Sequence, residues 1–112
     1  MEIRENEKLC IFTPLCPILN LKEVTRLFKA ITCETRDVAI DLSCVTDCTT
    51  DFIEAIKKCS MQKNIGIFNI PSDIFVLFNF MKLDKVAKLY VSEIDFEEKT
   101  RQLLNRTLTV VS

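Results

Sequence analysis

The chain has 112 residues, 48% of them apolar and 28% charged, which suits one soluble domain around a single hydrophobic core and excludes a disordered segment. Its 15 basic and 16 acidic side chains leave a formal net charge of −1, without the surplus of Lys and Arg that a phosphate backbone demands, so nucleic acid is not an expected partner. No apolar run approaches the ~20 residues of a membrane-spanning helix, and direct membrane insertion is not expected.

The first clear strand covers residues 9–15, with residues 2–4 as a candidate forerunner. Pro14 and Pro17 bracket its end, and Ile18-Leu19 continues a ribbon at a sheet edge, where proline is tolerated. Asn20 followed by Glu23 has the spacing of a helix start. Val24, Leu27, Phe28 and Ile31 then repeat at i, i+3, i+4 and i+7, the apolar stripe of an amphipathic helix. Val38-Ala39-Ile40-Asp41-Leu42 is nearly all apolar, as expected of a strand covered on both faces.

A polar stretch leads into a second helix with the stripe Phe52, Ala55, Ile56 and Cys59, and Asn64 is its expected terminator. Residues 65–70 form the next buried strand, residues 73–82 a third helix and residues 88–91 a last strand. A weaker helix is expected over residues 96–106, with Asp95 and Glu98 spaced for a cap. Strands alternating with helices of about ten residues imply crossover connections and a mainly parallel sheet. We therefore expect one α/β domain over residues 1–106, with residues 107–112 as a C-terminal tail or an extra edge strand.

Six cysteines occur without a C-x-x-C pair, and the chain has no histidine, so a zinc site would need thiolates or carboxylates alone. Several cysteines sit in apolar runs such as Leu9-Cys10-Ile11-Phe12, where a thiol acts as a small hydrophobe. Residues 1–9 alternate in charge and have no apolar stretch of a signal peptide. The expectation is a cytoplasmic protein with free thiols. Catalytic machinery is not expected: there is no imidazole base, a cysteine nucleophile would lack its usual partner, and the single glycine, Gly66, cannot build a phosphate loop.

Two places stand out as surfaces. Asp47, Asp51 and Glu54 bring three carboxylates to the start of the second helix, fewer oxygens than Mg²⁺ requires without substrate phosphates, so neither metal nor cofactor is expected. Asp51 also has capping-box spacing with Glu54, and a purely structural cap is one reading of it. The third helix is apolar nearly all round, so either both of its faces are buried or one is an exposed patch awaiting a partner. Phe75 and Met81 are the contact residues expected there.

The order of elements resembles the STAS domain of sulfate transporters and anti-sigma factor antagonists. Residues 38–46, Val-Ala-Ile-Asp-Leu-Ser-Cys-Val-Thr, are similar to that family's strand ending, commonly v-v-l-D-L-s-x-v-t. Ser72-Asp73-Ile74-Phe75-Val76-Leu77-Phe78 and the later Leu83-Asp84-Lys85-Val86 are similar to its s-p-x-v-x-x-L-L…g-L-d-k-l-f segment. In the family, D-S-S-G follows the first motif, and its second serine is the phosphorylated switch. Without gaps, Thr49, Thr50, Asp51 and Phe52 occupy those four places, so the switch position holds Asp51. A register slipped onto Asp47-Cys48-Thr49-Thr50 would keep a phosphorylatable Thr49 but would displace Ile53 and Ile56 on the helix.

The resemblance implies a mainly parallel sheet of four or five strands with helices packed mostly on one face. It also implies a non-enzymatic interaction domain for signalling, partner switching and transcription regulation, whose partner is an anti-sigma factor of the serine-kinase kind. Its surface would include Asp47, Thr49, Thr50, Asp51 and Glu54. STAS domains also serve as accessory subunits of membrane transport complexes, where the partner is a transport ATPase. A structural homodimer through the third helix is the third alternative.

Overall fold

The computed structural model describes residues 1–99 and 109–111. The chain opens with a hairpin of β1 (Glu2–Glu5) and β2 (Leu9–Thr13). Its turn is closed by the Asn6 side chain, whose Oδ1 accepts from the Lys8 and Leu9 backbone N–H groups at 2.9 Å each. There follow β3 (Ile18–Leu19), α1 (Leu21–Thr32), β4 (Asp37–Asp41), β5 (Asp47–Cys48), α2 (Thr50–Cys59), β6 (Ile65–Phe68) and α3 (Ser72–Phe80). A 3-10 turn (Leu83–Lys85), β7 (Lys88–Leu89), α4 (Glu93–Lys99) and β8 (Thr109–Val111) complete it.

The main sheet runs β7-β6-β4-β2-β1-β8. The pairs β2–β4, β4–β6 and β6–β7 are parallel, and β1 is antiparallel to both β2 and β8. This is the mainly parallel sheet the alternation of elements predicts, extended at one edge by β8. Backbone pairing also outlasts the strands: the Leu42 N–H donates to the Phe68 carbonyl at 3.0 Å and the Tyr90 N–H to the Ile67 carbonyl at 2.8 Å.

Strand alternation sends side chains to two different cores. On one side Cys10, Phe12, Val38, Ile40, Ile65 and Ile67 meet α1, α2 and α3. The α1 stripe Val24, Leu27, Phe28 and Ile31 is buried there as its periodicity demands, and Asn20 Oδ1 accepts from the Glu23 N–H at 3.1 Å to cap the helix. Phe52 of α2 is fully buried and lies 5.9 Å from the rings of both Phe28 and Phe78, so the three helices share one aromatic cluster. On the other side Leu9, Ile11, Ala39 and Phe68 form a smaller core with Tyr90 and with Phe96 of α4. Gly66 lies under the two rings: a Cβ there would sit 3.4 Å from Phe96 and 3.5 Å from Tyr90.

Several expected bounds move for physical reasons. α3 ends at Phe80, because Lys82 adopts a left-handed φ of 60° that stops the helix before the 3-10 turn. α2 ends at Cys59, ahead of Asn64, with the Ser60 N–H bonded to the Ile56 carbonyl. α4 begins at Glu93, earlier than residue 96, because Ser92 Oγ accepts from the Asp95 N–H at 3.1 Å. The remainder of that expected helix, residues 100–106, lies outside the described residues, as do 107, 108 and 112.

Phe75 and Met81 are half-buried and pack against the main core, whereas Val76 and Phe80 are 69% and 79% exposed. A helix apolar on every side has no stripe to reveal which face turns inward.

Candidate functional site

The corner before α2 is built by the small parallel ribbon β3–β5, in which Ile18 pairs with Asp47 and Leu19 with Cys48. The ribbon is fastened at both ends. The Pro17 carbonyl accepts from the Thr46 N–H at 2.8 Å, the Asp47 N–H at 3.1 Å and the Thr46 hydroxyl at 3.0 Å. The Leu19 carbonyl accepts from the Thr49 N–H at 3.1 Å and lies 3.2 Å from the Thr49 hydroxyl. Proline, lacking an N–H, suits this edge because only its carbonyl is used.

These bonds hold Thr49 extended, with φ −86° and ψ 167°, so Thr49 is the N-cap residue and the helix starts at Thr50. The cap reading of Asp51 is thereby corrected: Asp51 falls inside the first turn. Its carboxylate there faces the positive end of the helix. The Thr49 hydroxyl is also 3.2 Å from Asp51 Oδ2, so its single proton is shared between that carboxylate and the Leu19 carbonyl.

Thr49, Thr50 and Asp51 thus stand together at the α2 N-terminus, Thr49 half-buried and the other two exposed. Asp47 lies just before them, exposed, with Oδ1 accepting from the Cys48 N–H at 2.9 Å, and Glu54 is exposed on the next turn. Phe75 and Met81 belong to α3 and its cap, outside this corner. Cys48 points inward, and burial, helped by the Asp47 charge, pushes its thiol up to about 11, so it is no thiolate at neutral pH. Burial likewise pushes Cys10 up to about 11.

The opposite face of the sheet carries a polar network that residue patterns did not announce. Asp41, at the end of β4, is buried. Its Oδ2 accepts from Arg4 at 3.2 Å and from the Thr13 hydroxyl at 3.3 Å, and its Oδ1 accepts from the Ser43 N–H at 2.9 Å and from Asn69 Nδ2 at 3.0 Å. Arg4 also donates to Glu93 at 2.8 Å, and Asn69 Oδ1 accepts from the Glu93 N–H at 3.1 Å. Burial by itself would lower the Arg4 pKa; the hydrogen bond to Glu93 and the charges of Glu93, Asp41 and Glu2 outweigh it and raise the value. Asn69 takes a left-handed φ of 55°, tolerable for Asn, and so turns its amide back to Asp41. The available signal was Asp41 itself, a charge inside an apolar strand that requires a cation.

No family model matches the chain, and no curated protein matches it. A solved structure does. The crystal structure of a candidate anti-sigma factor antagonist from Thermotoga maritima aligns with a TM-score of 0.73. The alignment covers 88% of this chain and 92% of that one, at 15% identity. The chain has the STAS fold of the anti-sigma factor antagonists. In this STAS fold the ribbon β3–β5 and the α2 N-terminus form one exposed corner, and α4 closes the far face of the sheet. Among the described residues no helix is long and apolar enough to cross a membrane.

Proposed function

We propose that this chain is a non-enzymatic, cytoplasmic protein-interaction domain that acts as an anti-sigma factor antagonist, with Asp51 in the place of the switch serine. The likeness in fold to the candidate antagonist, across nearly the whole of both chains, carries this reading. Three features of the corner support it. Thr50, Asp51 and Glu54 are exposed on the first turns of α2, on a backbone held firmly by the β3–β5 ribbon. Asp51 supplies one permanent negative charge, less than the −1.5 to −2 of a phosphate. Cys48, the thiol within the corner, is buried with its pKa pushed up to about 11, and the chain has no histidine to activate it.

A partner suited to this corner presents Arg or Lys to Asp51, and binding is constitutive because the charge cannot be removed. The test is calorimetric titration of the protein with each serine-kinase anti-sigma factor of its source organism. One of them is expected to bind, with Asp51→Ser weakening the complex and Asp51→Lys weakening it further, by about tenfold or more in all. If none binds, or if Asp51→Lys leaves the affinity unchanged, the reading is wrong.

A second reading, an accessory subunit of a membrane transport complex docked on its ATPase, draws on the exposed pair Val76 and Phe80, one turn apart on α3. Val76→Asp with Phe80→Asp separates the two, since this double variant is expected to spare binding to an anti-sigma factor and to abolish docking on an ATPase. The same pair is where a homodimer would form, and sedimentation of wild type against the double variant detects it.

A further inference from the structure

The two helices next to the corner leave a groove between them. α1 and α2 each follow the paired strands β3 and β5, whose parallel register, Ile18 with Asp47, starts the two helices level and sends them in the same direction. Leu21 of α1 stands exposed over an apolar trough of about 680 Å³, whose floor is formed by the half-buried Ala55 and Cys59 of α2 and by the buried Val24 and Phe28 of α1. Leu21 is 60% exposed, and burial pushes the Cys59 thiol up, so this cysteine contributes to the trough as a neutral, weakly polar group. A volume of this size lies within the range of sites that hold a ligand or a partner side-chain row.

The charges on the rim are sorted by sign along the groove. Asp51 stands in the first turn of α2 and Glu54 one turn further on, in the half of the groove where the helices begin, whereas Lys29 and Lys58 stand in the last turns of α1 and α2. Charges of this sense also complement the dipoles of α1 and α2. Bordering one apolar trough, they give it a direction.

Resting on the function proposed above, we infer that the groove receives a single amphipathic α-helix of the partner protein, laid antiparallel to α1 and α2. Antiparallel placement opposes the helix dipoles. It brings the acidic first turn that helices favour against Lys29 and Lys58, and the basic last turn against Asp51 and Glu54. Apolar side chains at i, i+3, i+4 and i+7 of the incoming helix fill the trough. α1 has 12 residues, so at 1.5 Å per residue the occupant needs about 12 residues, or three turns. Asp51 therefore belongs both to the switch corner and to the acidic end of the groove.

The probe is a designed helical peptide of about 15 residues with an acidic first turn, a Leu stripe and a basic last turn. Its twin has the same stripe and the charges exchanged. Both are titrated into isotope-labelled protein and followed by amide chemical shifts. The inference expects shifts confined to residues 21–32 and 50–62. It also expects about tenfold tighter binding of the first peptide than of its twin, and a reversed preference in Asp51→Lys/Glu54→Lys. Equal affinity of the twins, no shifts, or shifts centred on Val76 and Phe80 of α3 would overturn it.

Two groove variants, Ala55→Arg and the surface change Lys58→Glu, extend the test to the anti-sigma factor titration. Each is expected to weaken that complex by about tenfold, with the fold checked by circular dichroism. If Asp51→Lys weakens the complex but neither groove variant does, the groove inference falls and the proposed function stands. If no anti-sigma factor binds, the function falls, and the peptide pair alone decides the groove.

Discussion

The two faces of the sheet are held in different ways. On the face of α1, α2 and α3 the core is apolar and continuous, and Phe52 ties the three helices through its contacts with Phe28 and Phe78. On the α4 face a few apolar residues share the space with Asp41, Arg4, Asn69 and Glu93. Apolar packing is non-directional and supplies most of the stability, whereas a buried charge is tolerated only with its partners in place. The first face therefore sets how stable the domain is, and the second fixes where the ends of β1, β2, β4 and β6 and the start of α4 sit relative to one another.

That contrast can be broken by mutation. Phe52→Ala removes the aromatic at the centre of the helical face and is expected to cost about 4 kcal/mol, read from urea denaturation. Asp41→Ala leaves Arg4 and Asn69 without their shared acceptor, at a cost of about 3 kcal/mol. The double variant Arg4→Leu/Asp41→Leu should recover part of that loss. If the double variant instead loses the sum of what Arg4→Leu and Asp41→Leu lose singly, the two residues act independently and the network account is wrong.

Asn69 separates backbone from side chain. Asn69→Ala loses both hydrogen bonds and strains the left-handed φ, for about 2 kcal/mol, while Asn69→Gly keeps the conformation and loses less. Equal losses would mean that the backbone conformation at residue 69 matters little. Gly66 gives a smaller effect. An added Cβ would make only close ordinary contact with Phe96 and Tyr90, and alanine is the better strand residue, so Gly66→Ala should change stability by less than about 1 kcal/mol. Gly66→Leu should unseat Phe96, visible as lost hydrogen-exchange protection in α4.

The smallest expected effect comes from a half-exposed counterpart to the Arg4 cluster. Arg36 donates to Glu34 at 2.6 Å and to Glu5 at 2.7 Å, and its hydrogen bond to Glu34, opposed by burial, holds that carboxyl below the usual carboxylate range. A carboxylate whose pKa is depressed by folding stabilises the native state above its unfolded value and loses that contribution as pH falls through the folded one. Wild type should therefore lose more stability than Glu34→Gln when denaturation is repeated from pH 7 down through the acid range. Parallel curves would remove Glu34 from the account.

Much of the helical face was legible in the residues. The α1 stripe, the Asn20 cap and the apolar runs around residues 40 and 67 depend on local periodicity, and local periodicity survives folding. What escaped depends on contacts between distant segments. Thr49 becomes the α2 cap because Leu19 holds its backbone, 30 positions away, so the local spacing of Asp51 and Glu54 pointed to the wrong residue. Arg4 lies in a charged opening segment that could serve many partners, and only the pairing of β1 with β2 brings it to Asp41. On α3 uniform hydrophobicity conceals which side faces water: Val76 and Phe80 are the most exposed apolar residues of the helix, while Phe75 and Met81 are half-buried against the core.

The same two faces offer the most direct measurement. Once an anti-sigma factor that binds is in hand, the amide chemical shifts of the labelled protein are compared with and without it. The account predicts a footprint on residues 47–54 and along α1 and α2, with the amides around Asp41, Asn69 and Phe96 undisturbed. A footprint centred on α4 and the Asp41 network, with the α2 corner silent, would contradict it.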